Sequence, residues 1–560
     1  MTTLSDVERD DLPAISAMDP RRWITLGIMS ATVVIISLDT TVLNVAIPTI
    51  LRDFHTTLPS LQWVITGYAL TFASLLIIGG RLGDVFGHRR IFVIGACLFG
   101  TGSLIAAISQ SVPQLVVGEA LIEGIGAAFM MPSSLAILSR SFVGHERAVA
   151  FGLWGAVGGA SAAFGPVVGG FLTSNYSWRW SFGINVIIVP FAVIGAMLFT
   201  PKLRSPGVRE RLDIAGAVLI ALGMALLVFC LSEGEAYGWL TPKRDIVLGG
   251  HDLWPASRTV SIVAVAFLVA VVTLYAFYRT SRRKERDAAQ PLFEFSQLRN
   301  KTFRYGLITV AALSLGQLSL AFVLPVFLQE GRHLSAAENG LWQLPSGLCF
   351  LAGAQISSRL ARRVSLVVIV RIGVVMTIAG FAYLALVISS SLQFWTLFPT
   401  YIMYGVGFGL AIPQITNIVL TDIEPEKTGA ASGANNTAKQ MGISLGVAII
   451  GALLTSRMIA SAIDRVHDTT ALSPGVRTSA AVLFRSNGVT FAPPANATPH
   501  EVATLRRIFV DSLATGAKWP LVFSCITGLV SLAVSFLIPK IDHESSGSRI
   551  DDEVRLAASH

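Results

Sequence analysis

The chain has 560 residues, 53% of them hydrophobic and only 14% charged, with a formal net charge of +8. So little charge and a mean hydropathy of +0.65 exclude a soluble globule. The positive balance belongs with a membrane surface rather than with nucleic acid, because no aromatic–basic module is interleaved along the chain.

Apolar runs of about 20 residues, enough to cross a ~30 Å hydrocarbon core, recur near residues 23–47, 60–80, 91–110, 113–138, 149–172, 181–200, 213–232, 258–279, 305–328, 338–358, 366–388, 394–420, 430–455 and 518–539. About fourteen such runs predict an all-α integral membrane bundle; they are too long for barrel strands, and lipid offers open backbone no partners. Basic residues gather in alternate loops: Arg21 and Arg22; Arg81, Arg89 and Arg90; Lys202, Arg204, Arg209 and Arg211; Arg279 to Arg286; Arg359, Arg362 and Arg363. The positive-inside rule makes these loops cytoplasmic, and an even number of spans puts both termini there too. The polar, acid-containing start of the chain is unlike a cleavable signal peptide. Cys97, Cys230, Cys349 and Cys525 fall singly within spans and read as small core hydrophobes.

The spacing divides the chain into a cytoplasmic tail (1–22), a six-helix bundle (23–200), a linker with two extra spans (201–304), a second six-helix bundle (305–540) carrying an external loop (456–517), and a cytoplasmic tail (541–560). In the external loop, Val502, Leu505, Ile508, Phe509 and Leu513 have helical spacing. That leaves open a short amphipathic helix or a disordered tether.

In the first span, Asp39 is a carboxylate at bilayer depth, costly enough there that a function is the default expectation. The turn Gly80-Arg81-Leu82-Gly83-Asp84-Val85-Phe86-Gly87-His88-Arg89-Arg90 joins the second and third spans. Its glycines suit a tight reversal, and Asp84, Arg89 and Arg90 suit either a topogenic anchor or a charge latch that breaks when helices move. The fourth span carries Glu119 and Glu123, four apart and so on one helix face. Crowded carboxylates of this kind suit a proton relay with Asp39; a hydrogen bond at a helix contact is the plainer alternative. In the fifth span Gly165, Pro166, Gly169 and Gly170, with Gly155, Gly158, Gly159 and Ser161, permit close helix contact and a bend, hence a hinge and seal between the bundles.

Several of these stretches together resemble the major facilitator superfamily, in its fourteen-span drug:proton antiporter branch. Gly80 to Arg90 is similar to the signature loop of that superfamily. Leu38 to Pro48 resembles the first-span motif of the branch, and Gln62-Trp63 with Tyr68 its second span. Ser161 with Gly165 to Gly170 resembles the motif associated with antiporters. Trp178 to Asn185, Pro291-Leu292-Phe293 with Leu298-Arg299-Asn300, and Gly429 to Gly442 resemble further family segments. The resemblance runs from about residue 23 to 540. It implies two six-helix bundles around a central cavity, plus two additional helices, working by alternating access. The chain departs from the pattern in the fourth span. There the family's Arg-x-x-Gln-Gly becomes Ala120 to Gly124, with Glu123 at the glutamine position and Glu119 beside the missing arginine.

The expected substrate path includes Asn44, Trp63, Tyr68, Trp154, Gln317, Tyr404, Gln414, Asn417, Asn435 and Asn436, with Asn44 and Trp63 foremost by resemblance. Lys439, in the thirteenth span, is expected to pair with Asp422, Glu424 or Glu426, or to snorkel to the inner surface. The second-half turn Ser358 to Arg363 has Arg362 where the first-half turn has its acid, so any latch is asymmetric. No phosphate loop, metal cluster or nucleophile arrangement stands out.

The resulting expectation is a secondary transporter, not an enzyme. It would be a multi-pass, monomeric protein of a bacterial inner membrane, using the proton gradient and no cofactor to export amphipathic, often cationic, compounds. An exporter of an endogenous lipid or secondary metabolite, a non-transporting sensor or scaffold, and a proton-coupled importer, against which the fifth-span motif argues, are the alternatives.

Overall fold

The computed structural model describes residues 21–539 except 56–57, 143, 201–212, 244, 249–250, 288, 290, 425–426, 488 and 490. The chain is a succession of long helices: α1 (Arg21–Asp53), α2 (Leu58–Phe86), α3 (His88–Ala107), α4 (Val112–Ser141), α5 (Gly144–Asn175), α6 (Trp180–Phe199), α7 (Ile214–Tyr237), α8 (Ile262–Arg286), α9 (Lys301–Gly331), α10 (Ala336–Leu360), α11 (Leu366–Val387), α12 (Phe394–Thr421), α13 (Thr428–Asp468), α14 (Pro474–Asn487) and α15 (Pro499–Ser535). The basic loops around residues 202–211 and the two tails lie outside the described residues. One element departs from the all-helical expectation. Ile246–Leu248 and His251–Trp254 pair as a short antiparallel hairpin between α7 and α8.

Among the described residues, twelve helices are long and apolar enough to cross a membrane. Two other long helices, α5 of 32 residues and α10 of 25, fall outside that dozen and pack against each other. A helix shielded from lipid by another helix does not need apolar side chains all round.

Two groups of helices emerge from the packing. In the first, α1 lies on α5 and α6, and α3 on α4 and α6; in the second, α9 lies on α13 and α15, and α11 on α12 and α15. The groups meet where α5 contacts α10 and α12, and where α2 contacts α13. The pair α7–α8 stands against α2 and α13. Lipid cannot press helices together as water does, so close backbone approach carries these contacts. A side chain at Gly126 would meet the Phe99 nitrogen at 2.5 Å, and one at Gly118 the Ala106 nitrogen at 2.8 Å.

The segment at residues 456–517 is neither of the two forms left open above. α13 runs for 41 residues and α15 for 37, about 61 and 56 Å at 1.5 Å per residue, roughly twice the hydrocarbon core. Both therefore project beyond it. Together with α14 they enclose a core of Val466, Leu472, Val476, Phe484, Leu505 and Phe509. The helical spacing from Val502 to Leu513 belongs to the projecting part of α15. Cys97 also differs from expectation: it is exposed rather than in the core.

Candidate functional site: a buried carboxyl cluster and an inter-bundle latch

Four helices bring the membrane-embedded acids together. Asp39 comes from α1, and Glu119 and Glu123 from α4, where residues Val116–Glu123 have π-helical geometry. Such a stretch inside an α-helix often marks a functional site. Oxygens of the three carboxyl groups lie within 4.8 Å of one another, and all three residues are at most 2% exposed. Asn185 of α6 bridges the cluster: its Nδ2 donates to Asp39 Oδ1 at 3.1 Å and to Glu123 Oε1 at 3.3 Å. Ser103 of α3 donates to Glu123 Oε1 at 2.7 Å. No Lys, Arg or His forms an ion pair with these acids among the described residues. Oxygens Oδ2 of Asp39, Oε2 of Glu119 and Oε2 of Glu123 are buried without a donor.

Three charges cannot share this space. Each ionised pair repels by roughly 3–4 kcal/mol even at an effective dielectric of ~20, and burial adds to that. Chemically, such an arrangement suits either sharing of protons among the carboxyls or an all-oxygen donor set for a hard cation. Sequence reasoning identified the three acids. It gave no role to Asn185, which lies in the quoted Trp178 to Asn185 stretch, and it passed over Ser103, an ordinary polar residue in an apolar run.

Another buried acid was passed over as well. Glu233 of α7 accepts a hydrogen bond from Thr66 of α2 at 2.8 Å. Its place just beyond the seventh apolar run was the available signal.

The turn between α2 and α3 connects the two groups of helices. Gly87 has φ +94°, a conformation that glycine adopts without strain. Asp84 is 3% exposed and caps α13 from the opposite group: Oδ1 accepts from Gly429 N at 2.8 Å and Oδ2 from Ala430 N at 2.9 Å. Lys427, the residue that precedes α13, supplies no side-chain cap of its own. His88 Nε2 lies 3.2 Å and Arg140 Nη2 3.9 Å from Asp84 Oδ1. Gly80 is required by close approach, since a side chain there would collide with the Gly429 carbonyl. Arg89 has a different place from the one expected. It donates to Thr200 O at 3.1 Å and to Met197 O, closing the C-terminus of α6. Arg90 is exposed. Beside this latch, Arg147 of α5 donates to Leu420 O at 2.8 Å, at the C-terminus of α12.

The glycines of α5 act at two contacts rather than one. Side chains at Gly165 and Gly169 would run into Thr41 and Val42 of α1, so this pair seals α5 to its own group, two and three residues from Asp39. Contact with the opposite group is made instead by Gly152 against Ser358 and Gly155 against Pro413. Gly170 is half-buried. The side chains of Pro166 and Asn44 lie outside the described residues.

The expected path residues are dispersed. Trp63 stacks on Phe229 of α7 at 6.2 Å, and Tyr68 on Phe72 at 5.9 Å. The Tyr68 hydroxyl and Trp154 Nε1 are buried without partners, as are Gln317 Oε1, Asn417 Oδ1 and Asn435 Oδ1. Tyr404 donates to Gln317 O at 3.3 Å, Gln414 to Ala148 O at 3.4 Å, and Asn436 to Ser432 O at 3.1 Å. Among the described residues Lys439 forms no ion pair with Asp422 or Glu424. Glu424 is engaged by Lys427 at 2.8 Å, and Glu426 lies outside the described residues.

A family model described as Major Facilitator Superfamily matches residues 29–447. The chain belongs to that superfamily. As a Major Facilitator Superfamily protein it is a secondary transporter and not an enzyme, and its relatives are antibiotic and drug exporters or resistance proteins. It is 32% identical to a probable actinorhodin transporter of Streptomyces coelicolor, over 80% of this chain and 75% of the relative. It is 28% identical to the tetracenomycin C resistance and export protein of Streptomyces glaucescens, over 97% of this chain and 96% of the relative. Among solved structures, the proton:xylose symporter XylE superimposes with a TM-score of 0.55 over 93% of this chain and 96% of its own, at 12% identity. That last likeness carries the fold alone.

Proposed function

We propose that this transporter exports amphipathic organic compounds in exchange for protons, by alternating access of its two helix groups across a cytoplasmic membrane. The observation that carries the reading is the cluster of Asp39, Glu119 and Glu123: three buried carboxyls within 4.8 Å and no countercharge among the described residues. Protonation from outside favours one orientation, and loss of the proton to the cytoplasm resets it. Antiport requires cargo and proton to bind with unfavourable coupling, so cargo lowers the proton affinity of the cluster. In this reading the protein has fourteen spans, α1 to α13 and α15. Both termini and the Asp84 turn are cytoplasmic on the positive-inside rule, and the protein is closed on that side by Asp84, Arg147, Gly152 and Gly155.

The test is proton release from detergent-purified protein on addition of amphipathic ligands, wild type beside Asp39→Asn. Release that the variant abolishes supports the coupling. Binding without release in the wild type rejects it. The roles of the relatives favour a second reading of the cargo, as an endogenous secondary metabolite rather than a foreign drug. Cells lacking the transporter would then retain such a metabolite without becoming sensitive to added drugs.

A further inference from the structure

Lys439 is an intramembrane charge with no neutralising partner among the described residues. It lies eleven positions after Thr428, the first residue of α13, which is about 16 Å along the helix at 1.5 Å per residue. That is near the middle of a ~30 Å core, too deep for a lysine stem to carry its ammonium to the surface. An isolated cation at this depth is costly and points to a use.

The direction it faces follows from its neighbours on the helix. Gly433 abuts α2, where a side chain would meet Leu76 O at 2.8 Å; Gly442 abuts α9, where one would meet Ser314 Cβ at 3.0 Å. Successive residues turn by about 100°. Lys439 therefore lies about 120° from Gly433 and about 60° from Gly442, on the arc between the α2 and α9 contacts. That arc looks into the space between α9 of its own group and α2 of the other. One helical turn back on the same flank, Asn435 Oδ1 is buried without a partner, as is Ser314 Oγ of α9 near Gly442. This flank is thus a half-buried ammonium set among unsatisfied polar groups, on the opposite half of the transporter from the three acids.

We propose that Lys439 is the counter-ion for an anionic group, a carboxylate or ionised phenol, on the amphipathic cargo. The proposal rests on the export reading and narrows its cargo to amphipathic acids, opposite in charge to the cations expected from the sequence. Cargo anion and transported proton then occupy different halves, and they are coupled through the rocking of those halves rather than by competition for one carboxylate.

The test uses the full chain in detergent with three matched probes: 9-anthroate, neutral 9-anthracenecarboxamide and cationic 9-aminomethylanthracene. Wild type is expected to bind the carboxylate at least about tenfold more tightly than the amide, ~1.4 kcal/mol. Lys439→Arg should keep that preference. Lys439→Gln should erase it while leaving amide binding in place, and Lys439→Met provides a second neutral variant should the glutamine protein not fold. A wild type without carboxylate preference, or neutral variants that retain it, overturns the proposal. So does displacement of 9-anthroate by dioleoylphosphatidylglycerol at equal concentration, which would make the lysine a lipid-headgroup site. The antiport reading fails separately: proton-driven flux would be absent while the carboxylate preference remained.

Discussion

The carboxylate of Asp84 caps a helix that begins more than three hundred residues later, accepting the Gly429 N–H at 2.8 Å across the boundary between the two halves. Two orphan backbone donors and the positive end of the α13 dipole are satisfied by an acid on α2. Arg147 does the converse for the carbonyl end of α12 at Leu420. The short connection between α12 and α13 is thus held at both ends by charges of the appropriate sign from the opposite half.

Removing this cap should open the closed end. Asp84→Ala is expected to cost the closed arrangement about 1–2 kcal/mol, a shift of roughly 5–30-fold towards the open one. Asp84→Asn, which can still accept one bond, should shift it less. Distances between spin labels on α2 and α13 would show the change in population; an unchanged distribution in the alanine variant would remove the latch from the mechanism.

The three acids should behave as one unit. Asp39→Asn, Glu119→Gln and Glu123→Gln should each weaken proton-driven transport, and Asp39→Asn combined with Glu123→Gln should lose little more than Asp39→Asn alone, because the groups share protons. Coupling between cargo and proton, typically about 5–150-fold, should fall to about onefold in Asp39→Asn while exchange of labelled for unlabelled cargo persists. Proteoliposome flux with and without a pH gradient separates the two quantities. Additive losses would mean that the acids work independently.

Gly155 sets how closely the halves approach at the latched end. Its substitution by leucine forces a side chain against Pro413, which even a single added carbon would meet at 2.6 Å. Overpacking of this kind costs roughly 1–3 kcal/mol, and here the cost falls on the closed state alone. Hydrogen exchange in residues 413–424 should therefore accelerate in Gly155→Leu. The same change at Gly165 acts against Thr41 of the same half and should lower thermal stability instead.

α14 and the projecting ends of α13 and α15 should fold or fail as a unit distinct from the membrane-spanning parts. Phe509 is fully buried and stacks with Phe484 at 6.4 Å. Phe509→Ala should cost that core about 3–5 kcal/mol, exposing Arg477 and Arg485 of α14 to trypsin while the membrane helices remain resistant. Cleavage no faster than in wild type would show that α14 is held by other contacts.

The contrast between what was legible and what was hidden follows from the range of each interaction. Apolar runs of about 20 residues report the membrane directly, because spanning length and side-chain solubility are properties of each segment alone. Asp39, Glu119 and Glu123 were visible for the same reason: a charge in hydrocarbon stands out whatever the fold around it. The glycine at 87 was legible as a tight turn because backbone freedom is also local. What these residues touch was not, since helices far apart in sequence pack through small residues that carry no address. Only the tertiary structure joined the acids from α1 and α4 and supplied Asn185 and Ser103 to them. It also matched Asp84 to Gly429 and turned Gly165 towards α1 rather than towards the other half. The sequence by itself determined the solvent, the segments and the unusual charges. The packing decided which of those charges meet, because a hydrogen bond or ion pair depends on a few ångströms that no spacing along the chain records.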